Sequence, residues 1–150
     1  MAQKYMAPGP HVLLVEDNPA YVLLVREAFE DSKAHCTLSV ARDGREALDF
    51  VHRCGNFRDA KRPDLILLDL NLPRIDGYEV LSRLKADEAF REIPVVILTT
   101  SQSLEDVHKA YSLAANCYVC KPLALDEFFK LMKALQEFWL ERVRFPGARG

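Results

Sequence analysis

The sequence predicts an α/β fold: a doubly wound sheet of five parallel strands with helices on both faces. Three observations lead there. Short apolar runs, notably His11–Val15, Leu65–Leu68 and Pro94–Leu98, lack the period-2 alternation of a half-exposed strand, which suits strands covered on both faces. Helix-like spacing follows each run, so strand and helix alternate five times, the pattern of right-handed crossovers in one parallel sheet. Four of the strands also run directly into polar residues, Glu16-Asp17, Asp69, Thr99 and Lys121. Carboxyl ends of strands are where open α/β sheets place their ligands.

In chain order, residues 1–10 carry no periodic pattern and are expected to be a flexible lead-in. His11–Val15 is the first buried strand. Asn18-Pro19 then offers an N-cap with proline at the first helical position, and Tyr21, Leu24, Val25 and Ala28 form the stripe of a helix running to about Asp31. Cys36–Ala41 is a weaker, alternating strand, Asp43-Gly44 a turn, and Ala47, Leu48 and Val51 the stripe of the second helix. The polar stretch 54–62 reads as a surface loop leading into the central strand.

That strand, Leu65–Leu68, meets Asp69 and stops at Pro73. Asp76-Gly77 is again turn chemistry, followed by a helix with Val80, Leu81 and Leu84 inward. After the fourth strand, Ser103 with Asp106 three residues on marks a helix start, with Val107, Ala110 and Tyr111 as its stripe. Cys117–Cys120 is the last strand and Lys121-Pro122 closes it. The final helix spans about 125–140, its core face made of Leu125, Phe128, Phe129, Met132, Leu135 and Trp139, and 141–150 is a tail. One domain over 11–140 is expected.

Composition narrows the function. A net charge of −2 gives no electrostatic case for nucleic acid or an anionic membrane. No apolar stretch approaches the roughly 20 residues of a membrane helix, and the start lacks the layout of a secretory signal. The expectation is a cytoplasmic protein with four reduced thiols. Cys117 and Cys120 are three apart on a strand, point to opposite faces, and so do not chelate one ion. The histidines show no ligand spacing, and His11 and His52 are expected near the surface.

The parallel topology gathers the strand ends on one edge, assembling three carboxylates, a hydroxyl and an ammonium. Three clustered carboxylates repel one another unless a cation sits among them. Oxygen-only ligands of this charge suit Mg²⁺, held by Glu16, Asp17, Asp69 and the main-chain carbonyl of Asn71. Asp69 serves as a carboxylate nucleophile able to form an acyl phosphate. Lys121 and Thr99 are placed to meet phosphoryl oxygens. The set matches phosphoryl transfer to a carboxylate.

The motifs VEDN (15–18), LLDLNLPRIDG (67–77), VVILTTS (95–101) and YVCKP (118–122) resemble the receiver domains of two-component response regulators, from about residue 11 to about 136. The resemblance implies the flavodoxin-like (βα)₅ receiver fold. It also implies Asp69 as phosphoacceptor, Glu16 and Asp17 as the acidic pair, and Lys121 as the lysine before a cis Pro122. Thr99 and Tyr118 become the switch pair. The 54–62 loop, the NCYVCKP segment and Phe138-Trp139-Leu140-Glu141 are most similar to the small regulators paired with cyanobacterial and bacterial phytochrome kinases. The implied partner is therefore a sensor histidine kinase of the phytochrome type, and the product a changed surface rather than a DNA-binding output.

Two other classes fit less well. An aspartate-nucleophile phosphohydrolase resembling the haloacid dehalogenases needs an acid two residues after the nucleophile, where this chain has Asn71. The implied protein accepts a phosphoryl group and can lose it again, but is not a turnover enzyme. A flavodoxin-like electron carrier needs a phosphate loop where Glu16-Asp17 stands. On the last helix, Leu131 and Phe138 lie beside the core stripe. With Trp139 they are the expected contact of a homodimer.

Overall fold

The computed structural model describes residues 9–32 and 35–147, so the expected lead-in lies almost wholly outside the described residues. Five strands, β1 (His11–Val15), β2 (Thr37–Ala41), β3 (Leu65–Leu68), β4 (Val95–Thr99) and β5 (Cys117–Cys120), form one parallel sheet in the order β2-β1-β3-β4-β5. Five α-helices connect and follow them: α1 (Pro19–Glu30), α2 (Gly44–His52), α3 (Gly77–Ala86), α4 (Leu104–Ser112) and α5 (Leu125–Gln136). The sequence reading of fold class holds.

Strand period divides the core in two. Leu13, Val15, Ile66, Leu68, Val95 and Ile97 face a first cluster under α2, α3 and α4, with Leu48, Val51, Val80, Leu81, Leu84 and Ala110. The alternate residues Val12, Leu14, Leu65, Leu67, Val96 and Leu98 face a second cluster with Val22, Val25, Phe128 and Met132 of α1 and α5. Burial on both faces is why these strands are continuously apolar.

Local chemistry sets most helix starts. Asn18 caps α1 by accepting from the Ala20 amide at 2.9 Å. Asp43-Gly44, expected as a turn, is the start of α2: Asp43 accepts from the Glu46 amide at 2.8 Å, and Glu46 accepts from Arg42 N at 2.9 Å. These two bonds cap the helix from both directions. Asp76 caps α3, accepting from Glu79 N at 2.9 Å, and Ser103 caps α4.

Several expectations need correction. His11 is buried, because its ring packs against Phe50 at 5.6 Å and its Nε2 lies 2.7 Å from Ser39 Oγ on the neighbouring strand. Tyr111 and Leu125 are exposed rather than core-facing. Tyr111 Oη instead accepts a bond from the Tyr118 amide at 3.1 Å, and Leu125 opens α5 one turn before the buried Phe128. The 54–62 loop is more than a surface loop: it holds a 3-10 turn, Gly55–Phe57, whose Phe57 packs on the first core, as does Ala60.

Beyond α5 the chain forms a π-helical turn, Glu137–Arg142. Gln136, buried at the junction, donates to the Ala28 carbonyl at 3.3 Å and ties the ends of α1 and α5 together. Trp139, Leu140, Phe145 and Leu131 pack partly buried against the second core, while Phe138 is exposed. The tail therefore returns to the domain at Phe145.

Candidate functional site

Strand register assembles the site. Val15 pairs with Leu68, so the residues that follow, Glu16 and Asp69, leave adjacent strands side by side, with Asp69 N donating to Val15 O at 3.1 Å. Thr99 pairs with Cys120, so Lys121 enters beside the end of β4, its amide donating to Thr99 O at 2.7 Å. Because β1 is flanked by β2 on one side and β3 on the other, its carboxyl end is the switch point where such sheets bind ligands.

Glu16, Asp17 and Asp69 each offer a carboxylate oxygen within 4.8 Å of the others, the one cluster of this kind among the described residues. Glu16 and Asp69 are buried and Asp17 is exposed, giving the cluster a solvent-facing side. Lys121 Nζ donates to Glu16 Oε1 and, at 3.3 Å, to Asp69 Oδ2. Asn18 N donates to Glu16 Oε2 at 3.1 Å, and Asn71 N to Asp69 Oδ1 at 3.3 Å.

The charges do not balance: one buried ammonium faces three acids. Burial pushes the Glu16 carboxyl up to about 7, the neighbouring Asp69 charge adds to the rise, and Lys121 pulls against it. A hard divalent cation among these oxygens relieves that crowding, so the donor set fits such an ion.

Thr99 is fully buried at the end of β4, its Oγ1 accepting from Ser101 N at 3.5 Å. Tyr118 lies half-buried on β5 and donates through Oη to the Ser101 carbonyl at 3.0 Å. Ser101 Oγ in turn donates to Asp106 Oδ2 at 2.5 Å, and Tyr78 of α3 donates to the other Asp106 oxygen. These two bonds hold the Asp106 carboxyl below its ordinary range. Thr99 and Tyr118 thus sit in a polar chain joining α3, α4 and β5, and of that chain only these two are expected from sequence to act together.

Lys121–Pro122 departs from the resemblance. No cis peptide bond occurs among the described residues, so this one is trans, the isomer an X–Pro bond favours by about 0.5–1 kcal/mol. Cys117 packs toward the second core while Cys120 Sγ lies 3.4 Å from the Ser101 carbonyl on the other side, so the two do not form a ligand pair. All four cysteines are free thiols.

Three supporting residues were not legible. Gly77 lies against the backbone of Asp69: a Cβ there would stand 2.3 Å from Asp69 O and 2.7 Å from Leu70 Cα. Arg74 adopts a left-handed φ of 64° and pairs with buried Asp43 at 2.7 Å, which pins the 71–76 loop to the start of α2. Tyr21, expected as an apolar stripe residue, places its ring under Lys121, with Nζ 3.9 Å from the centroid. The DG at 76–77 and the placement of Tyr21 in the first turn of α1 were visible signals, but their contacts come from distant elements.

A doubly wound sheet whose switch-point edge carries an acid cluster, a buried lysine and a buried threonine defines a signal-receiving domain. The chain belongs to the family described as the response regulator receiver domain, which matches residues 12–133. It is 43% identical over 141 residues to Response regulator Rcp1 of Synechocystis sp., covering 94% of this chain and 96% of that protein. A crystal structure of the Mn²⁺-bound form of Rcp1 superposes with a TM-score of 0.88 at 43% identity, covering 91% of this chain and 99% of that one. The phosphorylated cyanobacterial phytochrome response regulator RcpA does so with 0.88 at 42% identity, covering 92% and 99%. Among the described residues no helix is long and apolar enough to cross a membrane.

Proposed function

We propose that this chain is a cytoplasmic response regulator that accepts a phosphoryl group on Asp69 from the phosphohistidine of a phytochrome-type sensor histidine kinase. One observation carries the reading: the Glu16, Asp17 and Asp69 carboxylates converge within 4.8 Å, with Lys121 Nζ 3.3 Å from Asp69 Oδ2. The phytochrome assignment is supported by the likeness to RcpA.

An Asp69 oxygen attacks phosphorus as the bond to the imidazole nitrogen breaks, and that nitrogen keeps the electron pair. Asp17, Asp69 and the Asn71 carbonyl would hold Mg²⁺, with Glu16 holding one of its waters, and the ion supplies neutralisation of the phosphoryl oxygens. Lys121 moves its ammonium from Asp69 Oδ2 to a phosphoryl oxygen, and Thr99 donates its hydroxyl to another. Drawing Thr99 inward alters the space beside Tyr118, whose hydroxyl then leaves the Ser101 carbonyl. The α4–β5–α5 surface changes with it. Hydrolysis of the acyl phosphate on the domain itself resets the switch.

The same reading includes a homodimer through the last helix and the segment after it, centred on Phe138. What supports this is its 57% exposure beside Trp139, whose ring it meets edge-on at 5.4 Å. Leu131 and Trp139 flank that contact while resting on their own core.

The test is to incubate the chain with a phytochrome kinase, labelled ATP and Mg²⁺. Label that is labile to hydroxylamine and lost in Asp69→Asn is expected. Label on serine or threonine overturns the reading.

A further inference from the structure

We propose that Tyr21 is a positioning residue for the phosphoryl transfer, its ring face holding the Lys121 ammonium where it can pass from Asp69 to the arriving phosphoryl group. The inference rests on Asp69 being the phosphoacceptor. It starts from the surroundings of Lys121, whose side chain is 2% exposed. An ammonium has three N–H donors. Two are taken by Glu16 and Asp69, and Nζ sits 3.9 Å from the centroid of the Tyr21 ring.

The ring is held firmly. Tyr21 lies in the first turn of α1, which is set by the Asn18 cap and Pro19, and its ring packs tilted on Phe128 at 5.7 Å. The same turn orients Glu16, since Asn18 N donates to Glu16 Oε2 at 3.1 Å. One short segment therefore places both an anionic and an aromatic partner of the lysine.

The chemistry of the step explains the need for both. Bonds to Glu16 and Asp69 are directional and tie the ammonium to its resting place. Attraction to a ring face is electrostatic and nearly indifferent to small lateral shifts, and it is strongest where water is excluded. Lys121 can thus slide off Asp69 Oδ2 with the ring face taking up the side that Glu16 does not hold. A saturated side chain of equal bulk would fill the same space but provide no such track.

The alternative is that Tyr21 is merely a wall of the second core, against which it also packs. Fluorination separates the two, because it drains negative charge from the ring face and leaves the shape almost unchanged. Full-length chains carrying Tyr21→Phe, and phenylalanine fluorinated stepwise up to the pentafluoro ring at the same position, are to be phosphorylated with saturating acetyl phosphate and Mg²⁺. The rate of Asp69 acyl phosphate formation is read beside the melting temperature. Tyr21→Phe should stay within about twofold of the wild type, and the rate should fall in graded steps to about tenfold slower at the pentafluoro ring. Melting temperatures should be flat across the series.

A flat rate series overturns the proposal, as does a loss in Tyr21→Phe equal to that of the pentafluoro chain. Failure of the wild type to label at all, matching Asp69→Asn, instead overturns the phosphoacceptor reading on which it rests. If the fluorinated chains do not fold, the wild type still decides. Ring current from Tyr21 should move the Lys121 ε-methylene protons upfield of ordinary lysine values, and unshifted protons refute the contact.

Discussion

Replacing Gly77 with alanine places a methyl group where the backbone of Asp69, the proposed phosphoacceptor, already lies. An added Cβ would stand 2.3 Å from Asp69 O, 2.7 Å from Leu70 Cα and 3.1 Å from Asp69 C. Ordinary contacts of this kind are about 3.5–4.0 Å, so the backbone at Asp69 must retreat by about 1 Å. It cannot do so freely: Asp69 N is bonded to Val15 O at 3.1 Å and Gly77 N to Leu70 O at 3.0 Å. Overpacking against backbone costs about 1–3 kcal/mol, while the helix preference of alanine over glycine returns at most about 1 kcal/mol at this first helical position. In a domain of this size a net loss of about 1–2 kcal/mol lowers the melting temperature by roughly 2–8 °C. Catalysis should suffer more, because misplacing a reacting group by about 1 Å can cost about 10²-fold in rate. Thermal melting and acetyl phosphate labelling at saturating Mg²⁺ measure the two effects on one preparation. If Gly77→Ala melts at or above the wild type and labels at the same rate, the close packing behind Asp69 has been misjudged.

Asp17→Asn keeps the shape of the exposed member of the cluster and removes its charge, so Mg²⁺ binding by titration calorimetry should weaken and acetyl phosphate labelling should stop. Asp106 has a carboxyl lowered by its bonds from Ser101 and Tyr78. Its contribution to stability is present above the ordinary carboxylate range and lost as pH falls through its lowered folded value. Asp106→Asn should therefore flatten the acid limb of a denaturation series and leave neutral pH less stable than wild type. Sedimentation should show the wild type dimerising at micromolar concentration and Phe138→Ser shifted to monomer, since the substitution removes the exposed ring from the proposed contact. A wild type that stays monomeric with and without phosphodonor refutes that contact.

Much of this protein was readable from local pattern. The buried strands announce themselves as apolar runs ending in Glu16, Asp69 and Thr99, and Asn18 and Ser103 cap helices through bonds to residues two or three positions away. Parallel alternation then carries the strand ends to one edge, so the sequence pattern by itself groups Glu16, Asp17, Asp69, Thr99 and Lys121. What stayed hidden depends on partners far off in the chain. His11 is buried because Ser39 and Phe50 cover it, and Gly77 is compelled by Asp69 and Leu70. Arg74 answers to Asp43 across a loop, and Tyr21 meets Lys121 from a different element altogether. Composition and spacing encode which face of an element is apolar. Which side chain arrives opposite is set by how layers pack and registers align, and only the assembled fold decides that.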